Sequence, residues 1–422
     1  MKGILFTLFF IIGIGKGYSQ SAIDISGLVL DAKTSEPLPH AYLFLKSYPE
    51  FSWIASASGE FSLNFPEVLK DDVLVVSLLG YQRLEVPVSS LERTGNRIKL
   101  DQALIGLSEI TVKPDNSLRE MIAKAIEKIP ANYPDKRHQL TGLYRKVSTD
   151  YEEFTHLVEA AVVVEDVGYS KDEIQSRIKV ESLRQSDELA EVDSALLVTL
   201  RRLDEHIASQ VERARAANPF VDAFEGNFVR WWFETERKHY ESFFFGSAMF
   251  PMYQELVGYE LHGNDTVYHI AYGSTDPPFG TSYIKINSRN HAIVEAQYTP
   301  YTSEDKKFYT QYFIKFKEFE GTYYPEKVVR KIMRFINRDI GGHQMDIHTY
   351  WFDEVKTGKF KRIPYRDAQK RDRVLEPKSY SFDADFWEKY RSIKNYALDS
   401  AIIQSLEKNN RLKDQFKLNG KD

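Results

Sequence analysis

His156 and Glu159, a His-x-x-Glu pair, are the first residues in this chain whose types and spacing could do chemistry. Imidazole nitrogen and carboxylate oxygen are both zinc donors, and a bound zinc ion activates water for hydrolysis. The surrounding segment, FTHLVEAAVVV, is rich in β-branched residues and predicts a strand. Residues three apart on a regular strand point to opposite faces, so the pair meets one ion only at a bulge or strand end. A second set, His343, Asp346 and His348 in HQMDIH, holds two residues that share a strand face and could reach a cation together with the third. The plainer reading of that set is a solvated strand face. No Gly-x-Ser-x-Gly elbow, Walker loop or Rossmann glycine pattern is present. The chain has no cysteine, which excludes disulfides, thiolate metal sites and cysteine nucleophiles. The expectation is a protein that is not an enzyme, with no catalytic, cofactor or metal residues.

A different kind of chemistry is offered by the aromatic residues. The chain carries 27 Phe, 25 Tyr and 5 Trp, which is 14% aromatic. They concentrate in FVRWWFETERKHYESFFFG, where Trp231, Trp232, Phe243, Phe244 and Phe245 hold more apolar area than a surface loop leaves wet. Either they plug a curled sheet, or they line a site for an apolar ligand. They are the candidate ligand-binding residues.

Composition narrows the partners. Net charge is −5, both signs are spread along the chain, and no Lys/Arg block marks a nucleic-acid footprint. Met1-Lys2 followed by the apolar run ILFTLFFIIGIG reads as a signal peptide over residues 1–19, with cleavage expected near Ser19-Gln20. The run is short for a membrane span. The protein is therefore expected to be exported, to the periplasm or in peripheral association with the outer membrane.

Residues 22–113 hold short alternating apolar runs separated by turn signals: ISGLVL, AYLFL, FSLNF, VLVVSLL, RLEVPV, IKL and EITV. Such spacing predicts a small antiparallel β-sandwich. Gly27, Val29 and Asp31, then Pro37, Leu38, Pro39 and Ala41, then Gly59 and Phe61, then Gly80 and Tyr81 follow one order. On these motifs the segment resembles the carboxypeptidase regulatory-like family, whose fold is transthyretin-like. Ser58 departs from the Asp that members commonly place before the turn glycine. The resemblance implies an appendage that scaffolds or docks, and it implies no reactive group of its own. Zinc carboxypeptidases use a His-x-x-Glu ligand pair, but no downstream His in the matching Arg and Glu context accompanies His156 and Glu159. Tyr81 is expected to cap the core with its ring and to send its hydroxyl to water or backbone.

Residues 114–139 read as a helical link, with Leu118, Ile122, Ala125, Ile126 and Ile129 on one face and Pro130 ending the run. Residues 140–360 return to strands, about ten in an antiparallel meander that twists and curls, with a helical insert at 193–217. The stretch TVYHIAYG followed by TSYIKINSRNHAIVEAQYT is weakly similar to the hairpins of LolA-like half-barrels, the periplasmic lipoprotein carriers. That resemblance implies a possible hollow for lipid. Charges on both faces, as at Lys315, Lys317, Arg330, Lys331 and Arg334, fit poorly with a transmembrane barrel. Residues 361–422 form a helical tail. The fold class is thus mainly β with helical additions: a transthyretin-like sandwich, then a larger curved, half-barrel-like antiparallel sheet with packing helices. The functional expectation is an envelope binding or assembly module acting through the sandwich on a protein partner. The alternative is a carrier of a lipid or other apolar ligand, and a metal-dependent hydrolase is the remote third.

Overall fold

The computed structural model describes residues 23–102, 116–187, 253–369 and 382–418, apart from short interruptions at 40, 49–50, 57, 66–68, 79–80, 151–152, 171–175, 263–264, 274–281, 303–307, 338–341 and 399. The signal-peptide residues, the 193–217 insert and all five candidate aromatics from Trp231 to Phe245 lie outside the described residues.

Seven strands build the N-terminal sandwich: β1 (Ile23–Asp31), β2 (Tyr42–Leu45), β3 (Ser52–Ile54), β4 (Glu60–Phe65), β5 (Val73–Ser77), β6 (Leu84–Pro87) and β7 (Asn96–Leu100). One sheet runs β4-β1-β7 and the other β3-β2-β5-β6. Val29, Leu43, Leu45, Leu63, Leu74 and Val76 are buried between them. β3 is a strand that the alternation of the sequence does not announce, and β1 and β7 pair in parallel.

The motif residues have structural reasons to be where they are. A Cβ on Gly27 would lie 2.3 Å from the Asn96 carbonyl oxygen on the parallel neighbour β7, so only glycine fits. Gly59 turns into β4 at φ +76°. The Asp31 carboxylate accepts from the Lys33 and Thr34 amides (2.7 and 2.8 Å), from the Tyr81 hydroxyl (2.8 Å) and from Gln102 Nε2 (3.0 Å). The Thr34 amide and the Tyr81 hydroxyl lead in holding its pKa well below the usual carboxylate range. The hydroxyl of Tyr81 thus serves the other motif side chain, where the sequence pointed to water or backbone.

The larger sheet has ten strands: β8 (His138–Asp150), β9 (Glu153–Asp166), β10 (Arg177–Gln185), β11 (Tyr253–His262), β12 (Asp265–Gly273), β13 (Ser282–Asn287), β14 (Ile293–Thr302), β15 (Phe308–Phe319), β16 (Thr322–Asn337) and β17 (Gly342–Lys356). Their order is β10-β9-β8-β17-β16-β15-β14-β13-β12-β11. This is not one meander but two: the first runs out from β8 to β10, the second returns from β11 to β17, and β17 pairs with β8 along its length. The turn between β15 and β16 is tighter than the sequence suggests. Glu320 and Gly321 take it alone at φ +51° and +78°, and TYYP belongs to β16.

The two faces of this sheet are covered differently. On one face lie α1 (Asn116–Glu127) and α2 (Ile129–Asn132). Their stripe of Leu118, Ile122, Ala125, Ile126 and Ile129 shares a core with the sheet, each leucine or isoleucine contributing about 1.5–3 kcal/mol by leaving water. Tyr133 pins the end of this cover: its hydroxyl donates to the Ile293 carbonyl (2.7 Å) and accepts from the Ile293 amide (2.8 Å). The opposite face carries the sandwich and the tail. Tyr42 of β2 sits on Val257, Ala271, Tyr283, Phe313 and Val329, and Ser52 Oγ accepts from Gln297 Nε2 at 2.8 Å. Beside it pack the tail helices α3 (Ala384–Lys389), α4 (Arg391–Asn395), α5 (Ser400–Leu406) and α6 (Leu412–Leu418), whose Trp387, Ile402, Leu406 and Phe416 meet Leu143, Val147 and Leu157.

Candidate functional site

His156 and Glu159 point to opposite faces of β9, as strand geometry demands. Glu159 lies under the tail, fully buried in a clamp of two guanidiniums. Arg145 Nε reaches its Oε1 at 2.7 Å and Arg184 Nε its Oε2 at 2.7 Å. Burial alone would raise the pKa of this carboxyl, and Arg145 and Arg184 more than offset it, so the group stays ionised below its ordinary range. A carboxylate committed in this way is a structural anchor. The described residues gather no catalytic constellation and no group of three His, Cys, Asp or Glu side chains able to hold a metal.

Asp346 and His348 do share a face, but it is not a solvated one. It is the α1 face, and His348 is buried with Nδ1 3.0 Å from the Tyr144 hydroxyl. Asp346 accepts from Ser148 Oγ at 2.7 Å and lies 3.5 Å from Lys146 Nζ. His156 faces the same cluster, its pKa pushed down to about 4 by burial and then by Lys146. The His343 side chain lies outside the described residues.

The register shows how this cluster is embedded. One residue from each of the ten strands forms a row across the α1 face: Leu183, Ala160, Tyr144, Tyr350 and Val328, then Ile314, Ala296, Ile284, Ile270 and Leu256. All ten belong to one apolar core with α1. Toward α2 the rows stay apolar, as with Val180, Val162, Gly142 and Phe352. One step the other way, the chemistry changes. Gln185, Val158, Lys146, His348, Arg330, Tyr312 and Tyr298 follow one another in register, and Tyr272 and Gln254 pair at the far edge. Tyr312 and Tyr298 stack at 5.2 Å, and the Arg330 guanidinium sits 5.8 Å over the Tyr312 ring. A further step brings His156, Ser148 and Asp346. The face is amphipathic, and Lys146, His348 and Arg330 stand on the border.

Of the residues singled out from sequence, this site takes up His156, Asp346 and His348. Lys146, Tyr144, Tyr298, Tyr312 and Arg330 were not candidates. Their signal was the run LYRKV and the Val328–Arg330 alternation, but assigning them to one row needs the β8–β17 pairing of distant segments.

No family model and no curated protein matches the chain. Among solved structures it is similar to an outer-membrane lipoprotein-sorting protein domain from Vibrio parahaemolyticus: 5% identity over 56% of this chain and 92% of that one, TM-score 0.22. It is similar to lipovitellin at 9% identity over 61% of this chain and 28% of that one, TM-score 0.24. MucB follows at 8% identity, 57% and 94% coverage and TM-score 0.18. At such TM-scores the functional reading rests on the geometry above.

Proposed function

We propose that this is an exported envelope protein that binds a lipid or another long apolar ligand on the α1 face of its large sheet. The observation that carries this is the amphipathic lining: an apolar row ten strands wide, bordered by a polar-tipped row in which His348, Tyr312, Tyr298 and Tyr272 are buried and Lys146 and Arg330 half-buried. A face built only for packing gains nothing from a buried His348 on its border, because burying such a group costs free energy. Binding sites combine the same two elements, broad apolar walls and a few placed polar groups. α1 and α2 supply the described cover, and the ligand enters between cover and sheet. The sandwich serves as a scaffold whose β2–β3 side is seated on the protein's own sheet.

The test is native mass spectrometry of protein isolated from the cell envelope without detergent. The expected result is a discrete adduct of lipid mass, removed by organic extraction and restored by adding acyl chains. Protein that carries no adduct as isolated and takes none from an excess of acyl chains overturns the proposal.

A further inference from the structure

We propose that residues 356–369 form a strap that docks the protein on an anionic lipid surface. The strap leaves β17 at Lys356 and crosses the ends of β8, β9 and β10, and each of these strands holds it. On β8, Gln139 Nε2 donates to the Lys361 carbonyl (2.8 Å). On β9, the buried Glu165 accepts from Arg362 Nε (2.7 Å) and from the Ile363 amide (2.8 Å). On β10, Arg177 donates to the Ile363 carbonyl, and the Ile178 carbonyl accepts from the Gln369 amide (2.8 Å). Ile363 is buried, so the strap is pinned from below. Its charged side chains point outward: Lys356, Lys359, Lys361, Arg362 and Arg366 are all exposed. One acid, Asp367, accompanies these five cations, in a chain whose net charge is −5. Among the described residues, no carboxylate pairs with Lys359 or Lys361. Gly358, Phe360, Pro364 and Tyr365 interrupt the cations, which is why no block shows in the sequence. The 3-10 turn Tyr365–Asp367 lifts the Tyr365 ring among them, 71% exposed and with the Arg177 guanidinium 6.0 Å from its centre. The bonds that fix the strap thus present this ring to solvent. Tyrosine settles at the boundary between lipid and water, and each Lys or Arg near an anionic leaflet strengthens binding about fivefold. An extended row of exposed cations suits many mobile head groups better than one fixed peptide. The proposal requires an envelope protein but no apolar ligand on the α1 face.

The experiment is co-flotation of the full chain with vesicles of phosphatidylcholine alone, or of phosphatidylcholine and phosphatidylglycerol in equal parts. The protein is expected to partition onto the anionic vesicles at least about tenfold more than onto the neutral ones, and to be released as salt rises. Lys359→Gln combined with Lys361→Gln should lower that partitioning at least about tenfold, and Lys359→Arg combined with Lys361→Arg should keep it. Tyr365→Ser should weaken binding and Tyr365→Trp retain it. The same charge removed from the sandwich, by Arg97→Gln with Lys99→Gln on exposed positions of β7, should change little, because the sandwich is seated over β11–β16 and the strap over β8–β10. Equal partitioning onto the two vesicle types, or a loss in the sandwich variant as large as in the strap variant, overturns the proposal. Capture on immobilised polyglutamate without partitioning onto anionic vesicles overturns it as well, in favour of an acidic protein partner. None of these results alters the acyl-chain adduct, so the strap and the proposed function fail separately.

Discussion

Replacing Glu159 with glutamine tests how the tail helices are fixed to the sheet. The Glu159 side chain is 0% exposed and Arg145 and Arg184 are 8% and 15% exposed, so the three charges sit in a region of low polarity. Arg145 also donates to the Tyr396 carbonyl (2.6 Å) and lies over Trp351. Arg184 lies 4.6 Å from the ring centres of Trp387 and Phe416. Glutamine keeps the shape but leaves two guanidiniums with no anion between them. Breaking a buried pair by removing one partner costs about 3–5 kcal/mol, and in a chain of this size each kcal/mol lowers Tm by roughly 1–2 °C. A Tm decrease of about 5 °C is therefore expected, with hydrogen exchange rising first in α3–α6. The triple replacement Glu159→Met, Arg145→Met, Arg184→Leu should recover much of the loss, because an apolar cluster of similar volume carries no desolvation cost. The sign with pH follows from the depressed pKa: the clamp contributes fully above the ordinary range near 4.5 and is lost as pH falls through the lower folded value. A glutamine variant within about 0.5 kcal/mol of wild type, the spread of an ordinary surface change, would refute the reasoning.

Three further outcomes are expected. His269 is fully buried between Tyr42 (4.4 Å) and Tyr283 (4.6 Å), and burial, then Lys285, holds its pKa well below 6.5. Its contribution is complete above pH 6.5 and falls by up to about 1.4 kcal/mol per unit below it, so urea midpoints of wild type and His269→Phe should diverge on acidification; parallel curves would contradict this. Tyr42→Ala removes the side chain that seats the sandwich on the sheet and should cost about 3–5 kcal/mol, with protease sensitivity appearing between β7 and α1; a variant of unchanged stability would mean that the sandwich is only tethered. Tyr81→Phe strips one donor from Asp31 and should raise exchange in the 31–36 turn and at Gln102 while leaving β8–β17 unchanged; a uniform response across both sheets would show that the motif is not local.

Much of this architecture could be read from the chain. All ten strands of the large sheet follow from alternation and turn chemistry, and the α1 stripe from its 3.6-residue period. The order of the strands could not be read, because β8 and β17 lie some two hundred residues apart and nothing local states that they pair. The rows depend further on bulges such as those at Val180/Ser182 and Leu256/Gly258, each of which shifts every later residue to a new partner. The seat of the sandwich did leave a trace. AYLFL is apolar at consecutive positions, the mark of a strand buried on both faces, and Tyr42 and Leu43 are indeed buried on opposite sides. The Glu159 clamp joins three strands by pairs 14 and 25 residues apart, spacings without a pattern. The aromatic cluster at Trp231–Phe245 was the strongest compositional signal and lies outside the described residues.

Photocrosslinking tests the central claim most directly. A fatty acid carrying a diazirine midway along its chain is bound to the full-length protein, irradiated, and the modified peptides are sequenced by mass spectrometry. Adducts are expected on the α1 face, at Val328, Ile314, Tyr312 or Ile122, and to vanish when unlabelled dodecanoate competes. Adducts confined to the opposite face, around Val329, Phe313 or the tail helices, would contradict the account.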